Sequence, residues 1–491
     1  MRCGTQVKFN NHQNQQAVKL FWPILPLALF SLGLTAQVFD VQTIKYTGTD
    51  DKRIVLVYLS DGYQTSELDK FITDATHFTT KMFSTSPFSE YSNYFNVYAI
   101  KVPSNESGVD HPATATDVDE SAASPSFKDT YFNATFDAFD IHRLLYYEID
   151  GNATNNTETK ILSVLADHVP NYDQALLISN TNEYGGTGGT FPISYNGFWG
   201  ADVNIHEIGH SLFNLKDEYY PGDALAAEAI NMTQNSDPNT IKWKNWIGTN
   251  GIGIHQYFDF QGNPKDWYKP RNGACKMESL DKPFCAVCKE GIVEKIHDLL
   301  SPVDGFMPDN SNNIENPTFP LDFELSLINP NPNTLERTWF LNGVSFANNV
   351  DGVSVLENDL INGTNTLSAI VSDNSPLLKV NNHGTLHVNH VTWTINYAAL
   401  GIKDITSNHQ SYSINIYPNP IKDIAVFNIE SDKTYNLNVK LASLDGKIVK
   451  SFKIINAVAY TLNLGGLSPG VYISNFYDGN VLVATKKIIK K

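Results

Sequence analysis

His206-Glu207-Ile208-Gly209-His210, continued by Ser211-Leu212-Phe213-Asn214-Leu215-Lys216-Asp217-Glu218-Tyr219-Tyr220, is the stretch around which the 491-residue chain is organised. Read as a helix, it sets two histidines four positions apart on one face, so that both imidazoles reach a single metal ion. Glu207 then stands beside that ion and not on it. Such a set suits a cation that lowers the pKa of water toward neutrality, with a carboxylate placed to take the proton. Two nitrogens do not fill a tetrahedral shell, so a third ligand has to follow. Asn214 is where the helix can stop, because asparagine tolerates the left-handed backbone that ends helices. A reversal there returns Asp217 or Glu218 toward the ion; Asp217, the first carboxylate after the turn, is the expected ligand and Glu218 the alternative. The helix is expected to open at Asp202, or at Asn204 with Glu207 three positions on as a capping box.

Residues 1–36 read as an address. Lys8 and Lys19 precede a short apolar run, Leu20 to Leu34, broken by Pro23 and Pro26 and ending Leu34-Thr35-Ala36. That is the pattern of a signal peptide cleaved after Ala36, too short and Pro-broken for a membrane span. No later stretch approaches the length of a transmembrane helix, so a soluble protein outside the cytoplasm is expected. A net charge of -17, with 18% charged and 12% aromatic residues, describes an acidic, well-cored protein and argues against nucleic acid as partner. Once Cys3 is removed with the signal, Cys275, Cys285 and Cys288 remain. Cys285-x-x-Cys288 lacks a second pair to complete a zinc site, and the reading preferred is one local disulfide with a spare thiol.

Between the signal and the metal helix, strands alternate with helices. Ile54 to Leu59 reads as a buried strand running into Ser60-Asp61-Gly62-Tyr63. Leu68, Phe71, Ile72, Ala75, Phe78, Met82 and Phe83 repeat at helical spacing. Phe95 to Val102 and Ala175 to Ser179 are further strands and Ile161 to Val169 a second helix, whereas Ser104 to Lys128 is too polar for a core element. This alternation indicates an α/β layer with a substantially parallel sheet. Tyr184-Gly185-Gly186-Thr187-Gly188-Gly189 is a loop whose backbone can approach another surface closely. Residues 190–199 are a candidate strand along which an extended peptide pairs.

From residue 304 the texture changes. Residues 304–317 are rich in Pro, Asn and Asp and read as a linker. Asp322 to Leu327, Thr338 to Leu341, Thr366 to Val371 and Val391 to Ile395 alternate as strands, giving an all-β sandwich over 318–399. His383, His387 and His390 lie together, but in a strand His387 and His390 point to opposite faces, which argues against a metal there. After a break between Ala399 and Ser411, residues 411–491 alternate again: Ser413 to Tyr417, Ala425 to Ile429, Tyr435 to Leu441, Lys447 to Lys453, Val471 to Phe476 and Val481 to Ile489. This second small sandwich carries no catalytic cluster.

These residues resemble a known family. His206-Glu207-Ile208-Gly209-His210-Ser211-Leu212 with Asp217-Glu218-Tyr219 is similar to the motif of the IgA-peptidase family of zinc metallopeptidases. So are Asp61-Gly62-Tyr63, Ser107-Gly108-Val109-Asp110, Tyr184-Gly185-Gly186 with Gly188, and Cys275-Lys276-Met277 followed by Phe284-Cys285-Ala286-Val287-Cys288. The resemblance implies an α/β metallopeptidase domain of zincin or metzincin type over 37–303, followed by the two small all-β sandwiches. It implies Zn2+ held by His206, His210 and an acidic residue matching Asp217, with Glu207 as general base and Met277 as the floor of the site. Asn214 stands where the family usually has Gly, and both accept the left-handed turn. Tyr417-Pro418-Asn419-Pro420, Asp445-Gly446-Lys447, Leu467-Ser468-Pro469-Gly470-Val471-Tyr472 and the Lys-rich end resemble the type IX secretion sorting domain of Bacteroidetes, which implies export through outer-membrane secretion machinery.

The expected function is therefore that of a secreted or cell-surface zinc metallopeptidase acting on protein or peptide substrates, with Tyr184, Tyr195 and Tyr219 as candidate donors to the oxyanion. Two other readings stand beside it. One is a surface binding or adhesion protein whose peptidase domain has decayed, against which Glu207 and both histidines are intact. The other is a zinc hydrolase of non-peptide amides, which activity on a general protein substrate distinguishes.

Overall fold

A computed structural model describes residues 38–122, 124–147, 156–398, 412–431 and 434–491. The expected signal peptide and the break between Ala399 and Ser411 lie outside the described residues. The chain falls into two compact units, one running through Ser84 and from Phe95 to Asn214, the other comprising Thr85–Tyr94 and Leu215–Lys491.

The first unit is built on β1 (Asp40–Lys45), β2 (Ile54–Asp61), α1 (Leu68–Phe83), β3 (Phe95–Lys101), α2 (Thr157–His168), β4 (Gln174–Ser179), β5 (Gly186–Thr187), β6 (Ile193–Tyr195) and α3 (Gly200–Ser211). Its six strands form one sheet in the order β1-β3-β2-β4-β6-β5. The pairings β2 with β3, β2 with β4 and β4 with β6 are parallel, whereas β1 and β5 run antiparallel at the two edges. All residues of β2 and β4 are buried. That is why their sequences are continuous apolar runs and not alternating ones: a central parallel strand is covered on both faces. The expected peptide-pairing strand is corrected here. Residues 190–199 supply only β6, which is paired on both sides, and the edge belongs to β5.

The carboxyl end of β2 organises the polar loops beside it. Asp61 is fully buried and accepts from the backbone N–H of Phe132 at 2.8 Å, of Ala134 at 2.9 Å, and from the Thr130 hydroxyl at 3.1 Å. Gly62, at φ 71, donates its N–H to Ser104 Oγ and accepts at its carbonyl from Gly108 N–H, so the stretch starting at Ser104 is stitched to the sheet through backbone groups.

In the second unit β7 (His255–Phe258) and β8 (Pro264–Lys269) form a hairpin, followed by α4 (Ala286–Leu299). Then come β9 (Val303–Met307), β10 (Ile314–Glu315), β11 (Leu321–Leu327), β12 (Leu335–Leu341), β13 (Val344–Asn348), β14 (Gly352–Val355), β15 (Gly363–Asp373), the short α5 (His383–Leu386) and β16 (Asn389–Tyr397). These strands make sheets in the orders β10-β16-β15-β12-β13 and β14-β11-β9, whose buried residues, Trp339 and Trp393 among them, share one apolar cluster. The expected linker at 304–317 is thus not a linker: β9 pairs with β11 and β10 with β16. Its Pro and Asn residues sit in the turns between short strands, which composition alone does not distinguish from a tether. Residues beyond 412 form β17 (Ser413–Tyr417), β18 (Ile424–Glu430), β19 (Asn436–Ser443), β20 (Ile448–Ile455), β21 (Ala459–Asn463), β22 (Gly470–Asp478) and β23 (Val481–Lys490), again two sheets around a common apolar cluster. No helix among the described residues is long and apolar enough to cross a membrane.

Candidate metal centre

Helix α3 begins one turn earlier than its sequence suggests. Its N-cap is Trp199, whose N–H donates to the Tyr195 hydroxyl at 2.8 Å, so Asp202 and Asn204 lie inside the helix and not at its N-cap. Asp202 instead meets Lys81 of α1 at 3.2 Å, and the Asn204 amide oxygen accepts from the buried Tyr58 hydroxyl of β2 at 3.1 Å. A Cβ at Gly200 would fall 2.0 Å from the carbonyl oxygen of Tyr195, so glycine is what lets the helix start against β6. The helix is buried from Gly200 through His206. After Ser211 the backbone turns at Asn214, which holds φ 56, the left-handed turn expected there.

On this helix the Nε2 atoms of His206 and His210 lie 3.1 Å apart, with ring planes at 83°. Two nitrogens bound at about 2.0–2.1 Å to one tetrahedral ion would be separated by about 3.3 Å, so the pair is aimed at a common point. Ligand atoms of His206, Glu207 and His210 all lie within 4.8 Å of one another. His206 is buried, and Glu207 and His210 are half-buried. The donor set and its convergence fit a borderline cation with nitrogen and oxygen ligands. Gly188, just past the edge strand β5, lies against this site: a Cβ there would stand 2.9 Å from Oε2 of Glu207. The Gly-rich loop is therefore the backbone that borders Glu207, a role its composition suggested without naming the neighbour.

The tyrosine candidates separate. Tyr195 is buried and spends its hydroxyl on the N-terminus of α3. Tyr184 is 43% exposed and packs edge-on against Tyr195. Burial raises its hydroxyl above the ordinary phenol value; Arg143 lowers it and the Glu207 carboxylate raises it further.

The acidic pair lies in the second unit. The Asp217 carbonyl accepts from the Tyr257 hydroxyl at 2.6 Å. Glu218 is fully buried; its Oε1 accepts from Cys288 Sγ at 3.1 Å and Cys285 Sγ at 3.4 Å. The three cysteines are free, which corrects the expected disulfide: each thiol faces Glu218 or another thiol at non-bonded distance. Met277 is buried beside this group, its carbonyl accepting from Glu218 N–H at 2.7 Å.

Two further clusters are present, and the one around His111 escaped the sequence because its members share no local spacing. In the first unit His111, Glu120, Asp137 and His142 converge, with Glu120 Oε1 at 3.0 Å from His111 Nε2 and 2.6 Å from His142 Nδ1. In the second, Glu294 of α4 pairs with His383 and His387. The latter two sit at either end of α5 and not in a strand, while His390 is exposed on β16.

Residues 42–261 match the model of the family described as IgA Peptidase M64, and residues 415–491 that of the Secretion system C-terminal sorting domain. The second match marks an exported protein. No curated protein matches the chain. Among solved structures it is similar to dimeric latent PorU from Porphyromonas gingivalis at 13% identity and TM-score 0.14, covering 38% of this chain and 20% of that one. It is similar to SGBP-B of a Bacteroides ovatus mixed-linkage glucan utilization locus at 14% identity and TM-score 0.14, covering 38% and 45%. The fibronectin(III)-like modules of Clostridium thermocellum CbhA match at 8% identity and TM-score 0.14, covering 38% and 91%. Likenesses this low carry no argument about fold or function.

Proposed function

Because residues 42–261 match the IgA Peptidase M64 model and residues 415–491 that of a secretion sorting domain, we propose a secreted zinc metallopeptidase that hydrolyses peptide bonds in extracellular proteins. The observation that carries the reading is the convergence of His206 and His210 beside Glu207 on α3. His206 and His210 would hold the ion, with Asp217 the expected third ligand. Asp217 is favoured over Glu218 because the Glu218 carboxylate is committed to the buried cysteines. A zinc ion held there supplies Lewis acidity toward water and the scissile carbonyl.

The chain's own residues do the rest. Glu207 removes the proton from the attacking water and delivers it to the leaving nitrogen. Tyr184, exposed and close enough to feel the Glu207 charge, donates to the developing oxyanion. The substrate lies extended along β5, one of the two edges of the sheet and the one that adjoins Gly188, which lets its backbone pass Glu207. On this reading the first unit has a zincin-like α/β fold, the paired sheets over 303–397 and 413–490 are β-sandwiches, and the C-terminal one is handed to type IX outer-membrane machinery. Casein hydrolysis by the secreted protein, abolished by phenanthroline and restored by zinc, is the expected behaviour. Hydrolysis indifferent to the chelator, or confined to a non-peptide amide, would go against it.

A further inference from the structure

We propose that Glu218, Cys275, Cys285 and Cys288 form a second, structural metal site of zinc type, built from residues other than the histidine pair. One ligand atom from each lies within 4.8 Å of all the others, and all four side chains are buried. Cys275 Sγ and Cys288 Sγ are 3.7 Å apart. Two sulfurs bound at about 2.3 Å to one tetrahedral zinc would be about 3.8 Å apart, whereas a disulfide requires about 2.05 Å. The Glu218 oxygen at 3.1 and 3.4 Å from two of the sulfurs completes a compact set of four donors.

Backbone donors reach two of the three sulfurs. Cys285 N–H points to Cys275 Sγ at 3.3 Å, and Cys288 N–H to Cys285 Sγ at 3.5 Å, the latter at the N-terminus of α4 where the helix dipole favours negative charge. An independent observation comes from the carboxylate. Oε2 of Glu218 is buried and has no hydrogen-bond partner among the described residues. A buried carboxylate with an orphaned oxygen is costly, and a cation among the four donors removes that cost. Lys269, only 4% exposed, donates to the Glu218 carbonyl and pairs with Glu278 beside this group. A disulfide would satisfy two cysteines and leave a lone thiol against the same carboxylate.

The sequence shows Cys285-x-x-Cys288 without its second pair; the fold supplies Cys275 and Glu218. Such a site ties three separate segments together: the acidic turn at Asp217 and Glu218, the Cys275 loop, and the start of α4. Its consequence for the proposed catalytic centre is positional, since it fixes the backbone that carries Asp217.

The test compares the full secreted chain with its His206→Ala variant, each metal-loaded and desalted. The expected zinc content is two per chain in the wild type and one in the variant. Cobalt exchange should give a thiolate-to-cobalt charge-transfer absorption that persists in His206→Ala. Alkylation after unfolding in chelator should find all three thiols free. A disulfide between any two of them, or absence of the cobalt band from His206→Ala, overturns the proposal; neither measurement relies on a cysteine variant folding. One metal in both proteins with the band present keeps this site and removes the histidine site instead, so the two failures are distinguishable.

Discussion

Gly188 and Glu207 touch through space across the sheet edge: a Cβ on residue 188 would sit 2.9 Å from the Glu207 carboxylate. On the proposed function, Gly188→Ala displaces the base from its water. A loss of about ten- to a hundredfold in kcat/KM is expected from a misplacement of this size, with the melting temperature nearly unchanged. Unaltered kcat/KM would mean that Glu207 tolerates the methyl group and that this contact does not set its position.

The tyrosines give a paired prediction. Tyr195→Phe removes the acceptor for Trp199 N–H and should cost about 1 kcal/mol of stability with little change in kcat. Tyr184→Phe should leave stability alone and lower kcat by about a hundredfold if its hydroxyl serves the oxyanion. Thermal denaturation beside steady-state kinetics separates them, and a Tyr184→Phe enzyme of full activity would remove that residue from the mechanism.

At the carboxyl end of β2 the backbone leaves no room for a side chain. Gly62 has φ 71, and a Cβ would fall 2.0 Å from the carbonyl oxygen of Gly108. Gly62→Ala is expected to cost about 2–4 kcal/mol in denaturant unfolding, from left-handed strain and the displaced loop together. A midpoint equal to wild type would show that the loop at Gly108 yields freely.

These positions show what was legible beforehand and what was not. Ile54–Asp61 and Gln174–Ser179 declared themselves because fully buried strands are uninterrupted apolar runs, and α1 because its apolar residues keep helical spacing. His206, Glu207 and His210 were readable because their relation is local to one helix, and so was the left-handed Asn214. The partners of Glu218 were not, since Cys275 and Cys288 lie far along the chain and only the fold brings them to its carboxylate. The strand at Val303–Met307 was missed for a related reason: its pairing with Leu321–Leu327 outweighs a local composition that reads as a tether.

The cluster around His111 makes stability depend on pH. Burial opposes the charged ring, but Glu120, Glu183 and Asp137 together hold His111 above its ordinary value of 6.5, with His142 the remaining titratable neighbour. A raised folded pKa gives stabilisation that is complete below the unfolded value and is lost as pH climbs through the folded one. The melting temperature of the wild type should therefore fall more than that of His111→Gln between about pH 6 and about pH 8. Parallel profiles for the two proteins would refute this assignment.

The most direct test of the central claim is metal content and casein hydrolysis for the secreted wild type beside Glu207→Gln. The expected result is the same zinc content in both proteins, with hydrolysis reduced by at least about a hundredfold in the variant, because the ligands remain and only the base is gone. Undiminished hydrolysis in Glu207→Gln, or hydrolysis by a wild type that binds no zinc, would contradict it.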